Sequence, residues 1–379
     1  MVTIAGRIEA TGGRTSGFDY MRLILACGVI AMHSVITSYG QLTEIALWTS
    51  PIRPLIRLIL PMFFALSGFL VAGSLERAKT IGGFLGLRII RIMPALAVEV
   101  VLSAIVIGAV FTNISLSQYY TDPLFFKYFF NILGHIQYHL PGVFESNPLP
   151  RQVNNQLWTV PFELYCYAVL AFLGVAGIRR WRILGPFAIV GLTLLYLFYR
   201  LYKMSHGEVT SVGPLAGILL VVCFLAGVLM YQYRDRLAWS SRWFWPMLIV
   251  SALLVSVVPM GDFIAPVPVA YVTVYLGLLD PRRVRLIRGA DYSYGMFLYG
   301  YVIQQSIAAL GVWTHNWLFN TFSALALSAA FAAFSWHFVE KPALKLRGPL
   351  SRSEAWWLAR RKGTKGPVAE ELKPSPSRD

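Results

Sequence analysis

Arg22 and His33 lie eleven residues apart, in a stretch running from Asp19-Tyr-Met-Arg22 to His33 that otherwise reads as a membrane-spanning helix. At about 100° and 1.5 Å per residue, the two differ by about 20° in direction and about 16 Å along the axis. They share one helical face, with Arg22 at the membrane edge and His33 well inside. An ionisable group at that depth is costly, so it marks a functional site by default. A guanidinium at the surface and an imidazole deeper in suit an anionic cofactor with a long arm, one that delivers its cargo into the bilayer. A neutral imidazole in a low-dielectric site is a suitable general base toward a hydroxyl.

Arg88 and Arg91 form an Arg-x-x-Arg pair one helical turn apart, and the span pattern puts them on the same membrane face as Arg22. Guanidinium forks there could bind the phosphates of a cytoplasmic nucleotide. No Walker-type or dinucleotide Gly-rich loop accompanies them, which argues against a P-loop NTPase or a Rossmann enzyme. Glu163, in Leu157-Trp158-Thr-Val-Pro-Phe-Glu163, falls about one turn into an apolar run from its outer end. It is expected either to pair with a cation or to orient a catalytic group, with His33 near enough to the outer side for the two to meet, or else to snorkel to water. Glu99 reads as a helix-pairing partner. Ser67-Gly68 lacks the Gly-x-Ser-x-Gly elbow of a nucleophile, and its small residues suit close approach by a helix or a thin ligand arm.

The elements that must position these groups are membrane helices. Of 379 residues, 56% are hydrophobic and 13% charged, a polytopic rather than a soluble composition. Ten apolar runs of spanning length are read at 18–39, 55–75, 92–111, 158–177, 183–201, 212–231, 243–260, 262–279, 292–311 and 317–338. The junction of the seventh and eighth is crowded by Pro259, Gly261, Asp262, Pro266 and Pro268. With ten spans, 27 of the 33 Lys and Arg fall on one side and 6 on the other, which predicts both termini in the cytoplasm. The same placement, in short loops and the tail, argues against nucleic acid as the partner of the +15 charge. No cleavable signal peptide is expected. Cys27, Cys166 and Cys223 lie in apolar runs at no metal-ligand spacing, so neither disulfide nor metal is expected. The expected organisation is a cytoplasmic segment 1–17, an all-α membrane domain 18–347 and a largely disordered cytoplasmic tail 348–379. Within the domain, 112–157 forms a long outer segment whose run Phe125–Leu133 suits a re-entrant or interfacial helix.

Together these segments resemble the acyltransferase-3 family, bacterial membrane proteins that O-acylate extracytoplasmic glycans. The resemblance rests on Asp19-Tyr-Met-Arg22 through His33, Pro61-Met-Phe-Phe-Ala-Leu-Ser-Gly-Phe-Leu70, Arg88-Ile-Ile-Arg-Ile-Met-Pro94, Asn155-Gln-Leu-Trp-Thr-Val-Pro-Phe-Glu163, Ser293-Tyr-Gly-Met-Phe-Leu-Tyr299 and Phe338-Val-Glu-Lys-Pro342, over roughly residues 17–347. It implies a ten-helix fold and acyl-CoA, most commonly acetyl-CoA, as a donor that is not permanently bound. It implies catalysis by His33 and a donor site at Arg22, Arg88 and Arg91, with Glu163 near the acceptor. Asp19, Ser67, Gly68, Trp158 and Tyr294 are expected to support the site. Many members carry a histidine where this chain has Gly300. No appended extracytoplasmic hydrolase-like domain is read.

The expectation is an O-acetyltransferase of the bacterial inner membrane. Acetyl-CoA phosphates would bind Arg22, Arg88 and Arg91, and the thioester would reach His33. His33 would either deprotonate a sugar hydroxyl or carry the acyl group transiently. The acceptor would be a carbohydrate of an exopolysaccharide, a lipopolysaccharide or a lipid-linked precursor. Tyr119, Tyr120, Tyr138 and Trp158 could stack on sugars, although an interfacial aromatic belt is the preferred reading. The competing class is a glycan or lipid exporter that uses the buried ionisable groups for proton coupling. No sequence repeat of the transporter kind supports it.

Overall fold

The computed structural model describes residues 2–13, 15–207, 217–258, 260–284 and 289–361. Arg14, the 212–216 start of the sixth apolar run, Pro259, Arg285, Arg288 and the tail from 362 onward lie outside them. Among the described residues there is no strand, only two isolated bridges, Thr3 with Ala238 and Thr112 with Val143.

A short α1 (Ile4–Ala10) precedes four longer helices, α2 (Gly17–Tyr39), α3 (Gln41–Thr49), α4 (Arg53–Arg77) and α5 (Ile81–Leu102). A π-helical turn, Ser103–Ile107, carries α5 into α6 (Gly108–Phe111), giving one rod of 31 residues. The outer segment holds α7 (Leu116–Thr121), α8 (Pro123–Tyr128) and a 3-10 turn, Phe129–Leu133. After a further 3-10 turn, Asn155–Thr159, come α9 (Val160–Val175), α10 (Leu184–Ser205), α11 (Gly217–Gln232), α12 (Ser241–Ser256), α13 (Pro266–Gly277), α14 (Ser293–Ala308) and α15 (Trp317–Ser335). A second π turn, Trp336–Glu340, leads to α16 (Lys341–Leu344) and then α17 (Arg347–Arg361).

Each of the ten apolar runs thus contains a helix. Six helical stretches among the described residues are long and apolar enough to cross a membrane: those containing α2, α4, α5, α9, α10 and α15. The helices α11, α12, α13 and α14 are 16, 16, 12 and 16 residues long. Helix α5 begins eleven residues before the third apolar run. Thr80 caps it, accepting a 2.9 Å bond from the Gly83 amide, and Arg88 and Arg91 interrupt the hydropathy without interrupting the helix. Both arginines are therefore in the body of α5.

Helix α11 is apolar on all sides, as a helix enclosed by others must be. Leu219 through Val228 are all buried. Its closest neighbour is α4. A Cβ on Gly68 would lie 1.9 Å from the Phe224 carbonyl oxygen, and one on Gly227 would lie 2.0 Å from that of Ala65. The two backbones touch because both positions lack a side chain. Helix α10, by contrast, exposes Phe187, Leu194, Leu195 and Phe198, an apolar face suited to lipid.

At the C-terminal end, residues 348–361 are helix rather than the start of a disordered tail. Glu354 of α17 accepts a bond from the Thr80 hydroxyl, and Leu350 covers Gly86, so α17 is docked on the first turns of α5. In the outer segment Asn131 is fully buried. Its amide donates to the carbonyls of Tyr128 and Gln137 and accepts from the Gln137 amide, all at 2.8–2.9 Å, which satisfies an irregular backbone stretch.

Candidate functional site

Two adjoining cavities run through the bundle. The first, of about 160 Å³, is lined by Arg22, Arg88, Arg91, Glu163, Tyr167 and Asp291 among others. The second, of about 290 Å³, is lined by His33, Gln156, Trp158, Tyr301, Glu44 and Trp48 among others. Leu60, Thr159 and Phe297 belong to both walls, so the guanidinium chamber and the imidazole chamber meet at these three side chains.

Helices α2 and α5 supply the three arginines, and the loop before α14 supplies their counter-charge. Asp291 accepts a 2.8 Å bond from Arg22 Nη1 and a shorter one from Arg91 Nη2, and Ser293 donates to its other oxygen. Arg91 Nη1 also donates to Glu340 at 3.1 Å. Burial alone would raise the Asp291 carboxyl, but Arg22 and Arg91 outweigh it and hold the group down at about 2. Arg88 is different. It donates to the Ser74 hydroxyl at 3.1 Å, has no carboxylate partner among the described residues, and its Nε is buried without a hydrogen bond. It is therefore the guanidinium most open to an incoming anion.

Glu163 lies one turn into α9, as its spacing suggests, but it joins the arginine chamber and not the histidine chamber. Tyr167, four residues on, donates to it at 2.6 Å. Glu163 and His33 line different, adjoining chambers. The 3-10 turn Asn155–Thr159 advances the chain by about 2 Å per residue against 1.5 Å in an α-helix, and it is Gln156 and Trp158 that line the His33 chamber.

His33 is buried and packs edge-on to Tyr301, with ring centroids 5.2 Å apart. Its Nδ1 has no hydrogen-bond partner among the described residues, and neither does either polar atom of the Gln156 side chain. A buried polar atom without a partner is costly, and here several border one cavity. Such groups are arranged to meet a ligand or water. The neighbouring Ser34 and Gln304 are, by contrast, bonded to each other at 2.6 Å and stiffen α2 against α14. At Gly300 a Cβ would lie 2.9 Å from Ile30, so α2 packs closely on α14 at this position.

Of the supporting residues, Ser67 and Tyr294 line the arginine chamber and Trp158 lines the histidine chamber. Gly68 lies at the α4–α11 contact. Asp19 lines neither chamber and pairs with Arg283 at 3.6 Å. Glu99 also lines neither. It accepts from Ser103 and Asn154, each at 2.8 Å, tying α5 to the chain before α9. Tyr167, Asp291 and Glu340 were missed as site residues. Glu340 stands inside the Phe338–Pro342 segment, and Asp291 is one of two acids, with Asp280, in a loop of four arginines, two residues before the Ser293-Tyr294 segment. An acid beside that segment was the available signal.

The acyltransferase domain of the acyltransferase-3 family matches residues 15–280. The match includes both arginine segments, His33 and Glu163, and stops before α14. Nodulation protein 10 of Rhizobium leguminosarum bv. viciae is 26% identical, covering 90% of this chain and 96% of the relative. An O-acetyl transferase of Shigella phage Sf6 is 25% identical, covering 89% and 98%. No solved structure matches. The chain belongs to the acyltransferase-3 family and is an O-acyltransferase.

Proposed function

We propose that this protein moves an acyl group, acetyl in the first instance, from cytoplasmic acyl-CoA to a hydroxyl of an envelope or exported glycan. In this reading it crosses the bacterial inner membrane ten times with both termini in the cytoplasm, the shorter helices α11, α12, α13 and α14 completing the six long ones. The observation that carries the reading is the pair of chambers joined at Leu60, Thr159 and Phe297, with arginines in one and, in the other, an imidazole whose Nδ1 has no hydrogen-bond partner among the described residues.

The donor's phosphates bind at Arg88, with Arg22 and Arg91 beside it, and the pantetheine arm passes between Leu60 and Phe297 toward His33. His33 takes the proton of the acceptor hydroxyl as the oxygen attacks the thioester carbon. The C–S bond breaks, the ester forms, and the proton passes to the departing thiolate. Gln156, beside His33 in the same wall, orients the acceptor or the ring. Glu163, bonded by Tyr167, balances the charge of the arginine chamber. The name of the phage relative, an O-acetyl transferase, favours acetyl as the group moved.

The test is incorporation of labelled acetyl into envelope glycan by cells carrying the wild type or His33→Ala. The expected result is labelling with the wild type and background with the variant. Equal labelling removes His33 from catalysis. Protonophore-sensitive glycan export without any labelling would replace the transferase reading with an exporter.

A further inference from the structure

Three of the six basic residues assigned to the outer side gather at one point. Arg57 of α4 donates to Asp262 at 2.8 Å, and Arg200 of α10 approaches the same carboxylate at 3.9 Å. Arg53, one turn earlier on α4, faces the same group. Arg57 is 4% exposed, and the Nε atoms of Arg53, Arg57 and Arg200 are all buried without a hydrogen-bond partner among the described residues. Three guanidiniums thus gather near one carboxylate, which pairs with Arg57 and Arg200. A desolvated excess of like charge is strongly unfavourable unless something neutralises it, and unmet donors in a buried position call for an acceptor.

The position of the cluster separates it from the donor site. Arg57 and Ser74, the residue that anchors Arg88, are 17 positions apart on α4, about 26 Å. The carboxylate is also held deliberately. Met260 has φ +58°, a left-handed conformation unusual for a side-chain-bearing residue. The next residue, Gly261, packs so closely on the Leu254 carbonyl that a Cβ would lie 2.2 Å from it. Arg53 stands one turn from Ile56, which lines the His33 chamber, so the cluster borders the end of that chamber remote from Arg22.

We propose that Arg53, Arg57 and Arg200 form a second anion site, one that binds the phosphoryl group of a lipid at the face opposite the donor site. Guanidinium forks match phosphate oxygens bidentately, and three of them suit a diphosphate better than a carboxylate. Asp262 keeps the arginines together when the site is empty and leaves a net positive charge for the ligand. The inference deepens the proposed reading, giving the acceptor a lipid phosphate or diphosphate that anchors it while its sugar enters the His33 chamber. The same chemistry would also hold the headgroup of an anionic phospholipid.

The test is equilibrium binding of farnesyl diphosphate to the purified full-length protein in zwitterionic nanodiscs, with no acyl donor present. Its outcome is thus separate from that of the transfer assay. Saturable binding is expected, competed by inorganic diphosphate and weakened at least tenfold by Arg53→Gln and by Arg200→Gln. Arg88→Gln, in the other site, is expected to leave it unchanged. Arg53 has no ion-pair partner to lose among the described residues, so Arg53→Gln decides the matter if Arg200→Gln does not melt as the wild type does. Displacement by phosphatidylglycerol in the disc assigns the site to a bilayer headgroup, and indifference to it assigns the site to a lipid-linked acceptor. Both results support the phosphoryl site. No saturable binding, or binding lost in Arg88→Gln and kept in Arg53→Gln, overturns it.

Discussion

Asp291 holds Arg91 from two hundred residues away in the chain, and Arg22 shares the same carboxylate oxygen. One side chain from the loop before α14 therefore sets the spacing between the arginines of α2 and α5. A phosphate entering the chamber meets guanidiniums already aimed and partly neutralised, which lowers the ordering cost of binding.

Asp291→Asn keeps the shape and removes the charge. Breaking a partly buried ion pair with two partners costs about 3 kcal/mol, and both guanidiniums lose their common anchor. The expected outcome is a lower melting temperature together with a higher KM for acyl-CoA. A variant that melts lower at unchanged KM would make Asp291 a purely structural brace.

The same carboxyl predicts a pH dependence. Its folded value of about 2 lies below an unfolded value near 3.8, so the folded state favours the ionised form. The resulting stability is fully present above about pH 4 and is lost as pH falls through about 2, to the extent of about 2 kcal/mol. In detergent, the melting-point gap between wild type and Asp291→Asn should be constant from pH 7 to 4 and close below that. A gap that closes near neutrality would point to another group.

The sequence made the helices legible, because apolar runs report burial in lipid or protein. It hid the start of α5, because Arg88 and Arg91 break the hydropathy while facing a cavity that the run cannot reveal. The shared face of Arg22 and His33 was readable from helical rotation alone. The partition of Glu163 from His33 was not, since it depends on a 3-10 turn at Asn155–Thr159 and on how α9 docks. Asp291 and Glu340 were hidden for a similar reason. Their importance arises from contacts 200 and 249 residues away, which spacing along the chain does not encode.

The two chambers predict a division of effects. Among the described residues Arg88 donates only to Ser74 and pairs with no carboxylate, so Arg88→Ala should leave stability within about 1 kcal/mol and weaken acyl-CoA binding about 10- to 100-fold, the value of one charged hydrogen-bond fork. His33→Ala should lower kcat about 10²- to 10⁴-fold, the usual worth of a general base, with acyl-CoA affinity nearly unchanged. Calorimetric titration of both variants with acyl-CoA, beside turnover assays, checks the division. Loss of donor affinity in His33→Ala would merge the two roles.

The α4–α11 contact predicts that the site fails when helices are forced apart far from any ligand. Gly68→Ala puts a methyl 1.9 Å from the Phe224 carbonyl, and Gly227→Ala puts one 2.0 Å from that of Ala65. Neither obstacle is the end of a flexible side chain, so a backbone must move. Overpacking of this kind costs about 1–3 kcal/mol, and the upper end applies here. Ser67, next to Gly68, lines the arginine chamber, and Ser74, two turns further along the helix, anchors Arg88, so the shift is transmitted to the donor site. Each variant should melt below the wild type and bind acyl-CoA more weakly. Because both substitutions push on the same interface, the double variant should lose less than the sum of the singles. Strictly additive losses in a thermal-unfolding cycle would mean that the two glycines serve separate contacts.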